Sequence, residues 1–529
     1  MQMRAHRPLI MGRRGAVASN HPVATQAGLD VLRSGGNAAD AAVAVALTLG
    51  VVEPHMSGLG GDGFYHVWDV AQGRGRVFNG TGAAPASATP ASYRARGGIP
   101  LHGALSASVP GMFAGLALMH GACGARDWRA LFGPAIEAAR DGFAVTHHLR
   151  KFADAQRVRM PQGSLAAAIF LPGDAPPALG DLLRQGALAA TLEALSAGAD
   201  FAALLAPGAA AAGVPLTHAD LAGMVAEEVA PISVPYRGFT VAQTPPNSTG
   251  FTMLQMLRIL ERYDLAAHGW GSAALIHLMV EAKKRAFLDR EAFGCDPHGR
   301  DVPVPMLLSE ARAVEHAAAI DLNRAADLPL KPQSGGGDTT YFCVVDPAGN
   351  AVSAIQSLNS PFGSGVIAGE TGVLLNNRMS YWHLEPGHPN ELVPGRRVRH
   401  TMNAPMVLKD GRPWCVLGTP GADNQVQVNA QAIAGICDFG LDPQQAVEAP
   451  RWTSSQYGQP ANFPHEGDDV LTLEQGFAAA APLLEAMGHR VKLVPPLEGP
   501  CSVEAIRLLE NGVRMAASDP RRDGWAGAF

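Results

Sequence analysis

Apolar residues recur with helical spacing between His21 and Ser34, and the run stops at Gly35 and Gly36, which supply the positive φ that a helix terminus favours. A helix is predicted there. A second is predicted from Ala38 to Leu49, within the longest apolar run of the chain. That run, 41–52, is too short to cross a bilayer and is flanked by Asp40 and Glu53, so it reads as a core helix. A glycine-rich turn at 57–64 then leads into a strand at 64–69. Phosphate-binding loops run from strand into helix; the order here is reversed, which argues against a bound nucleotide. Residues 127–221 are alanine-rich and predict a helical layer, interrupted at 171–174 and 206–208 by Pro-Gly pairs. Between Ser272 and Phe293, Leu275, Ile276, Met279, Ala282, Ala286 and Phe287 form one stripe, with Lys283, Lys284 and Arg290 elsewhere. That spacing predicts a half-buried helix.

The texture changes after Lys331. Residues 331–338 (KPQSGGGD) are rich in helix and strand breakers and read as a linker. Beyond it, 340–346 and 351–358 are β-rich runs joined by 347–350 (PAGN), in which Pro presets φ while Gly and Asn accept left-handed backbone. This is a hairpin. A loop of three or five residues sets Thr339 opposite Ser357, whereas a loop of four sets Thr340 there. In either register two hydroxyls meet at one end of the hairpin, beside the linker, and Asn359 follows on the same face as Ser357.

Composition narrows the choice of function. A length of 529 residues suggests about two to four domains, although large layered enzymes reach this size as one unit. With 47% apolar and 17% charged residues the chain is of ordinary globular type. A formal charge of −6 and the lack of dense Lys/Arg runs argue against a nucleic-acid partner. The cysteines are scattered, with no CxxC or Cys/His cluster, so buried free thiols are expected rather than disulfides, and no metal or other cofactor is implied. The first 14 residues are basic but carry no apolar stretch of the secretory kind, which predicts a cytoplasmic protein with no membrane partner.

Ordered segments along the chain carry a stronger signal: VASNHPVAT (17–25), GGNAADAAVA (35–44), VEPHMSGLGG (52–61), SVPG (108–111), PPNSTG (245–250), TTYFCVVD (339–346), GETGVLLNN (369–377) and SDPRRDG (518–524). In these the chain resembles the γ-glutamyltranspeptidase family of N-terminal nucleophile hydrolases. The resemblance implies an α+β fold, a four-layer αββα sandwich, made as one precursor that cuts itself before a nucleophilic threonine. Asp338–Thr339 is then the scissile bond, leaving a large chain, 1–338, and a small chain, 339–529, as partners of one another. The chemistry is consistent with this. The Thr339 hydroxyl attacks the Asp338 carbonyl, an N-to-O shift gives an ester, and water releases the two chains. The new α-amine, with a reference pKa of about 7.7–8.0, serves as base for the otherwise weak hydroxyl. No histidine triad is needed, and none is recognisable among the 18 histidines. By the same resemblance Ser357 hydrogen-bonds the nucleophile, Asn359 positions the substrate, and the backbone N–H groups of Gly421 and Ala422 stabilise the oxyanion. If the second of these positions needs left-handed backbone, alanine adds about 1–2 kcal/mol of strain. His400 and Thr401 lie in the segment that matches the family's substrate-binding stretch.

Three positions, in two segments, depart from the members that act on glutathione. Thr81 stands where those carry an arginine that anchors the α-carboxylate. After Asn376 and Asn377, Arg378 and Tyr381 stand where groups binding the α-ammonium are expected. At an effective dielectric of about 20, two like charges 4 Å apart cost on the order of 4 kcal/mol, enough to turn away an ammonium. A guanidinium instead matches a carboxylate. The expected substrate is therefore a small amide whose acyl part carries a carboxylate, as in the glutaryl acylase and oxamate amidohydrolase branches. A true γ-glutamyl hydrolase or transpeptidase, and an uncleaved binding or scaffold protein, are the alternatives.

Overall fold

The computed structural model describes residues 5–328, 338–455 and 470–529. The first helices begin and end on local chemistry. Helix α1 (Pro22–Arg33) starts at His21, whose ring nitrogen accepts the Val23 N–H, and ends before Gly35 at φ +91°. Helix α2 (Ala38–Val52) opens on a capping box between Asn37 and Asp40 and runs past the expected end at Leu49. Every residue of it except Gly50 is buried, which makes it the core helix that the apolar run implies.

Two expectations need correction. The Pro-Gly pair at 206–208 does not break its helix: α3 (Phe201–Ala211) passes through Pro207. The reason is tertiary. A Cβ on Gly208 would come within 2.1 Å of the Ala368 carbonyl oxygen, so the helix is docked there against another stretch of chain. The helix starting after Ser272, labelled α4 (Ala273–Phe293), is buried around most of its circumference rather than on one stripe. Its charges are inside and paired. Glu281 takes Lys284 and Arg285 at 2.7 Å each, Lys283 donates to the Ser454 carbonyl at 3.1 Å, and Arg290 meets Glu291 and Asp423.

Among the described residues, fourteen strands build two large antiparallel sheets. They are β1 (Ile10–Gly12), β2 (Ala16–Ser19), β3 (Asp62–Asp69), β4 (Arg74–Gly80), β5 (Glu227–Val229), β6 (Ile232–Tyr236), β7 (Phe239–Gln243), β8 (Asp338–Val345), β9 (Ala351–Asn359), β10 (Met406–Lys409), β11 (Arg412–Gly418), β12 (Glu504–Leu508), β13 (Arg514–Ser518) and β14 (Trp525–Ala528). One sheet runs β14-β2-β8-β9-β3-β4-β5 and the other β1-β13-β12-β11-β10-β7-β6. Three apolar layers hold them. Phe64, Tyr341, Ile355, Met406, Val416 and Ile506 fill the space between the sheets. α1 and α2 cover the outer face of the first sheet through Val17, Val45, Phe342 and Val352, and the helix Asn424–Cys437 covers the second with Leu417, Ile433 and Ala505. The result is the four-layer αββα sandwich.

The hairpin forms as predicted, with a five-residue loop. Val345 faces Ala351 and Thr340 faces Gln356, which sets Thr339 against Ser357. A bulge falls at that point, because Asp338 pairs with Asn359. Of the linker predicted at 331–338, residues 331–337 lie outside the described residues, and Asp338 is not linker but the first residue of β8.

Candidate active site

Consecutive residues of a strand point to opposite faces, and this sorts the two threonines. Thr340 is spent: its hydroxyl donates to Glu53 at 2.6 Å and accepts from Asn20 at 3.3 Å. Thr339, buried beside the bulge, donates to the Ser357 hydroxyl oxygen at 3.2 Å. The same oxygen accepts the Asn359 backbone N–H at 2.7 Å. Asn359 is at φ +84°, a left-handed conformation in which its side chain turns to donate to the Asn377 carbonyl at 3.2 Å and to Ser380 at 3.1 Å. Its side-chain oxygen, Oδ1, accepts from Arg378 Nη1 at 3.1 Å. Four of the expected site residues thus form one bonded chain: Thr339, Ser357, Asn359, Arg378.

Arg378 is 1% exposed. Its guanidinium stacks over the Tyr381 ring, 4.7 Å from carbon to centroid, and Nε donates to Asp62 at 3.4 Å. Nη2 is buried and has no hydrogen-bond partner among the described residues. Tyr381 leans on Thr401 through hydroxyls 3.4 Å apart. His400 completes the cluster. Its ring lies edge-on to Phe64, Nε2 is 3.8 Å from Asp62, and neither ring nitrogen makes a hydrogen bond among the described residues. Burial, reinforced by Arg378 and Arg397, holds its pKa well below the usual histidine range, so the ring is neutral. Thr81 is also buried, but its hydroxyl is committed to Asn79 at 2.7 Å and its carbonyl to Arg397 at 2.8 Å.

Gly421 and Ala422 follow β11, whose last residue, Gly418, lies against the Tyr341 ring two residues from Thr339. Gly421 is at φ +121°, and a Cβ there would strike Cys501 Sγ at 2.4 Å. Ala422 is at φ +50°, the left-handed backbone on which the cost of an alanine depends. Neither backbone N–H donates to an acceptor among the described residues.

Two site residues escaped the sequence reading. Asp62 opens β3 directly opposite Ser357 and touches both Arg378 and His400. Burial raises its carboxyl pKa by more than Arg378 and the Gly82 N–H lower it. Arg522 donates to the Thr339 carbonyl at 3.4 Å. The signal for Arg522 was its place in the SDPRRDG segment; for Asp62 there was only a glycine-rich turn. Away from this site, His277, Glu281 and His489 lie together as potential metal ligands, yet Glu281 is neutralised by Lys284 and Arg285, and His277 bonds His489 at 2.8 Å. Both ring nitrogens of His277 and both carboxylate oxygens of Glu281 are thus already bonded.

Residues 24–529 match the gamma-glutamyltranspeptidase family profile. A glutathione hydrolase-like proenzyme of Bacillus subtilis is 36% identical, covering 98% of this chain and 99% of its own. An acylase proenzyme of a Pseudomonas strain is also 36% identical, over 97% of this chain and 93% of its own. The crystal structure of a cephalosporin acylase from Bacillus halodurans superposes with a TM-score of 0.90 at 31% identity, covering 100% of this chain and 98% of that one. Profile, relatives and fold agree over the whole chain, which belongs to the gamma-glutamyltranspeptidase family, enzymes made as self-cleaving precursors that act through a threonine nucleophile.

Proposed function

We propose that Thr339 is this threonine, that the precursor cuts at Asp338–Thr339, and that the mature enzyme acts on a small amide whose acyl part carries a carboxylate but no α-ammonium. Two features support cleavage at this bond: the bulge, which offsets Asp338 from the hairpin register, and the Ser357 hydroxyl, which holds the Thr339 Oγ by a hydrogen bond. After cleavage the Thr339 amine takes the hydroxyl proton as Oγ attacks the substrate carbonyl. The Gly421 and Ala422 N–H groups receive the oxyanion, the amine leaves protonated, and water or an acceptor amine resolves the ester on Thr339.

The observation that carries the choice of substrate is the unpartnered Nη2 of Arg378, buried and bonded through Nη1 to Asn359. A buried donor left unpaired costs about 1–3 kcal/mol, and more when charged, which a ligand carboxylate would remove. An α-ammonium in the same place would add repulsion of about 4 kcal/mol at 4 Å. With the Thr81 hydroxyl committed to Asn79, Arg378 is left as the anchor, with Tyr381 stacked on it and Thr401 and His400 beside them. The acylase names among the relatives fit this reading.

The test compares kcat/KM for glutaryl, oxalyl and γ-glutamyl amides of one chromogenic amine. The carboxylate-only donors should exceed the γ-glutamyl donor by about tenfold or more, and Arg378→Gln should erase the difference, mainly through KM. Turnover that favours the γ-glutamyl amide would overturn the substrate assignment.

A further inference from the structure

A guanidinium beside a carboxylate normally takes it in a two-point fork, which would consume Nε and Nη2 together. Arg378 and Asp62 do not pair in this way. Asp62 offers Arg378 a single oxygen, Oδ2, at 3.4 Å from Nε, because Oδ1 accepts the Gly82 backbone N–H at 2.8 Å. That tether is built in. A Cβ at position 82 would lie 1.5 Å from the Val109 carbonyl oxygen, so only glycine brings this N–H so close. The other side of Asp62 is fixed by β3, where it pairs with Ser357. The carboxylate is thus held from both sides in a pose that engages one edge of the arginine and leaves Nη2 open. Asn359 occupies Nη1 with a single oxygen, and Tyr381 covers the face.

We propose that Asp62 is a positioning residue for substrate selection: tied to Gly82, it holds Arg378 by Nε alone and so reserves Nη2 for the carboxylate of the acyl donor. This rests on the reading of Arg378 given above. An aspartate free to rotate would close the two-point fork and quench the arginine. An asparagine would set an amide against Nε or give up the Gly82 N–H. In both cases the guanidinium loses the pose in which Nη2 is free.

The experiment uses the full-length, self-cleaved enzyme and two chromogenic anilides, glutaryl and its terminal carboxamide analogue, which differ only in the charge that Arg378 would read. The wild type should prefer the carboxylate. Asp62→Asn should lower that preference by about tenfold, through KM for the glutaryl substrate more than through kcat. In an Arg378→Gln background Asp62→Asn should change the preference no further, because Asp62 acts through the arginine. A fall in both substrates by one common factor, or a preference that rises when the anion is removed, overturns the role of Asp62 and leaves the Arg378 reading standing. A wild type that does not distinguish the two anilides overturns both. Should Asp62→Asn fail to mature, Asp62→Glu keeps the charge but displaces both oxygens by one methylene. It should lose the preference in the same way, and an unchanged preference in that variant contradicts the proposal.

Discussion

Ala422 holds a left-handed conformation, φ +50°, that costs an alanine about 1–2 kcal/mol. Glycine relieves the strain but gains about 0.4–1 kcal/mol of unfolded-state entropy, so Ala422→Gly should raise stability by about 0.5–1 kcal/mol, read from denaturant midpoints. A loss of stability would mean that the methyl group contributes packing that outweighs its strain. At this scale the meeting of two hydroxyls at one end of the hairpin was legible, whereas the choice of Thr339 over Thr340 opposite Ser357 hung on a loop length that the turn residues left open. The identity of Arg378 was legible as a departure, but its burial was not, since that depends on Asp62, 316 residues away in sequence. Asp62 itself carried no mark, because a lone acid in a glycine-rich turn acquires meaning only where β3 meets β9.

Helices α1 and α2 could be placed from the sequence because caps, glycines and apolar runs are local. The long helix α4 was located but its surroundings were misjudged, because Lys283, Lys284 and Arg290 find partners on segments far along the chain or buried beside them. Asp289 on this helix shows what such partners do. Burial alone would raise its carboxyl pKa, but hydrogen bonds from His316, Arg312 and Gln255 prevail and bring it down to about 2. A carboxyl lowered on folding contributes stability above its unfolded value, near 4, and loses it as pH falls from there toward 2. Asp289→Asn should therefore cost about 1–3 kcal/mol at pH 7 and clearly less at pH 3, measured by thermal unfolding at both. An equal loss at both values would show that the amide disturbs packing rather than charge.

Across the whole molecule each sheet is built from strands on both sides of Thr339, joined at several ladders. β2 pairs with β8 and β14, β3 with β9, β1 with β13, and β7 with β10. A cut before Thr339 would therefore leave two chains sharing ladders in each sheet and an apolar layer between them. The two pieces should elute together under native conditions and separate only in denaturant; separation in native buffer would contradict the interleaving. The layered architecture was within reach of the sequence through its ordered family segments, whereas strand order was not, because neighbours such as β2 and β8 are brought together only by the closed sheet.

The central claim is that Thr339 becomes a new N-terminus and the nucleophile. Intact-mass measurement of purified protein under denaturing conditions tests it most directly. Two chains should appear, with the mass boundary between Asp338 and Thr339, and Thr339→Ala should give one uncut chain without amidase activity. A wild type that stays whole while hydrolysing its substrate, or a boundary at any other bond, would contradict the account.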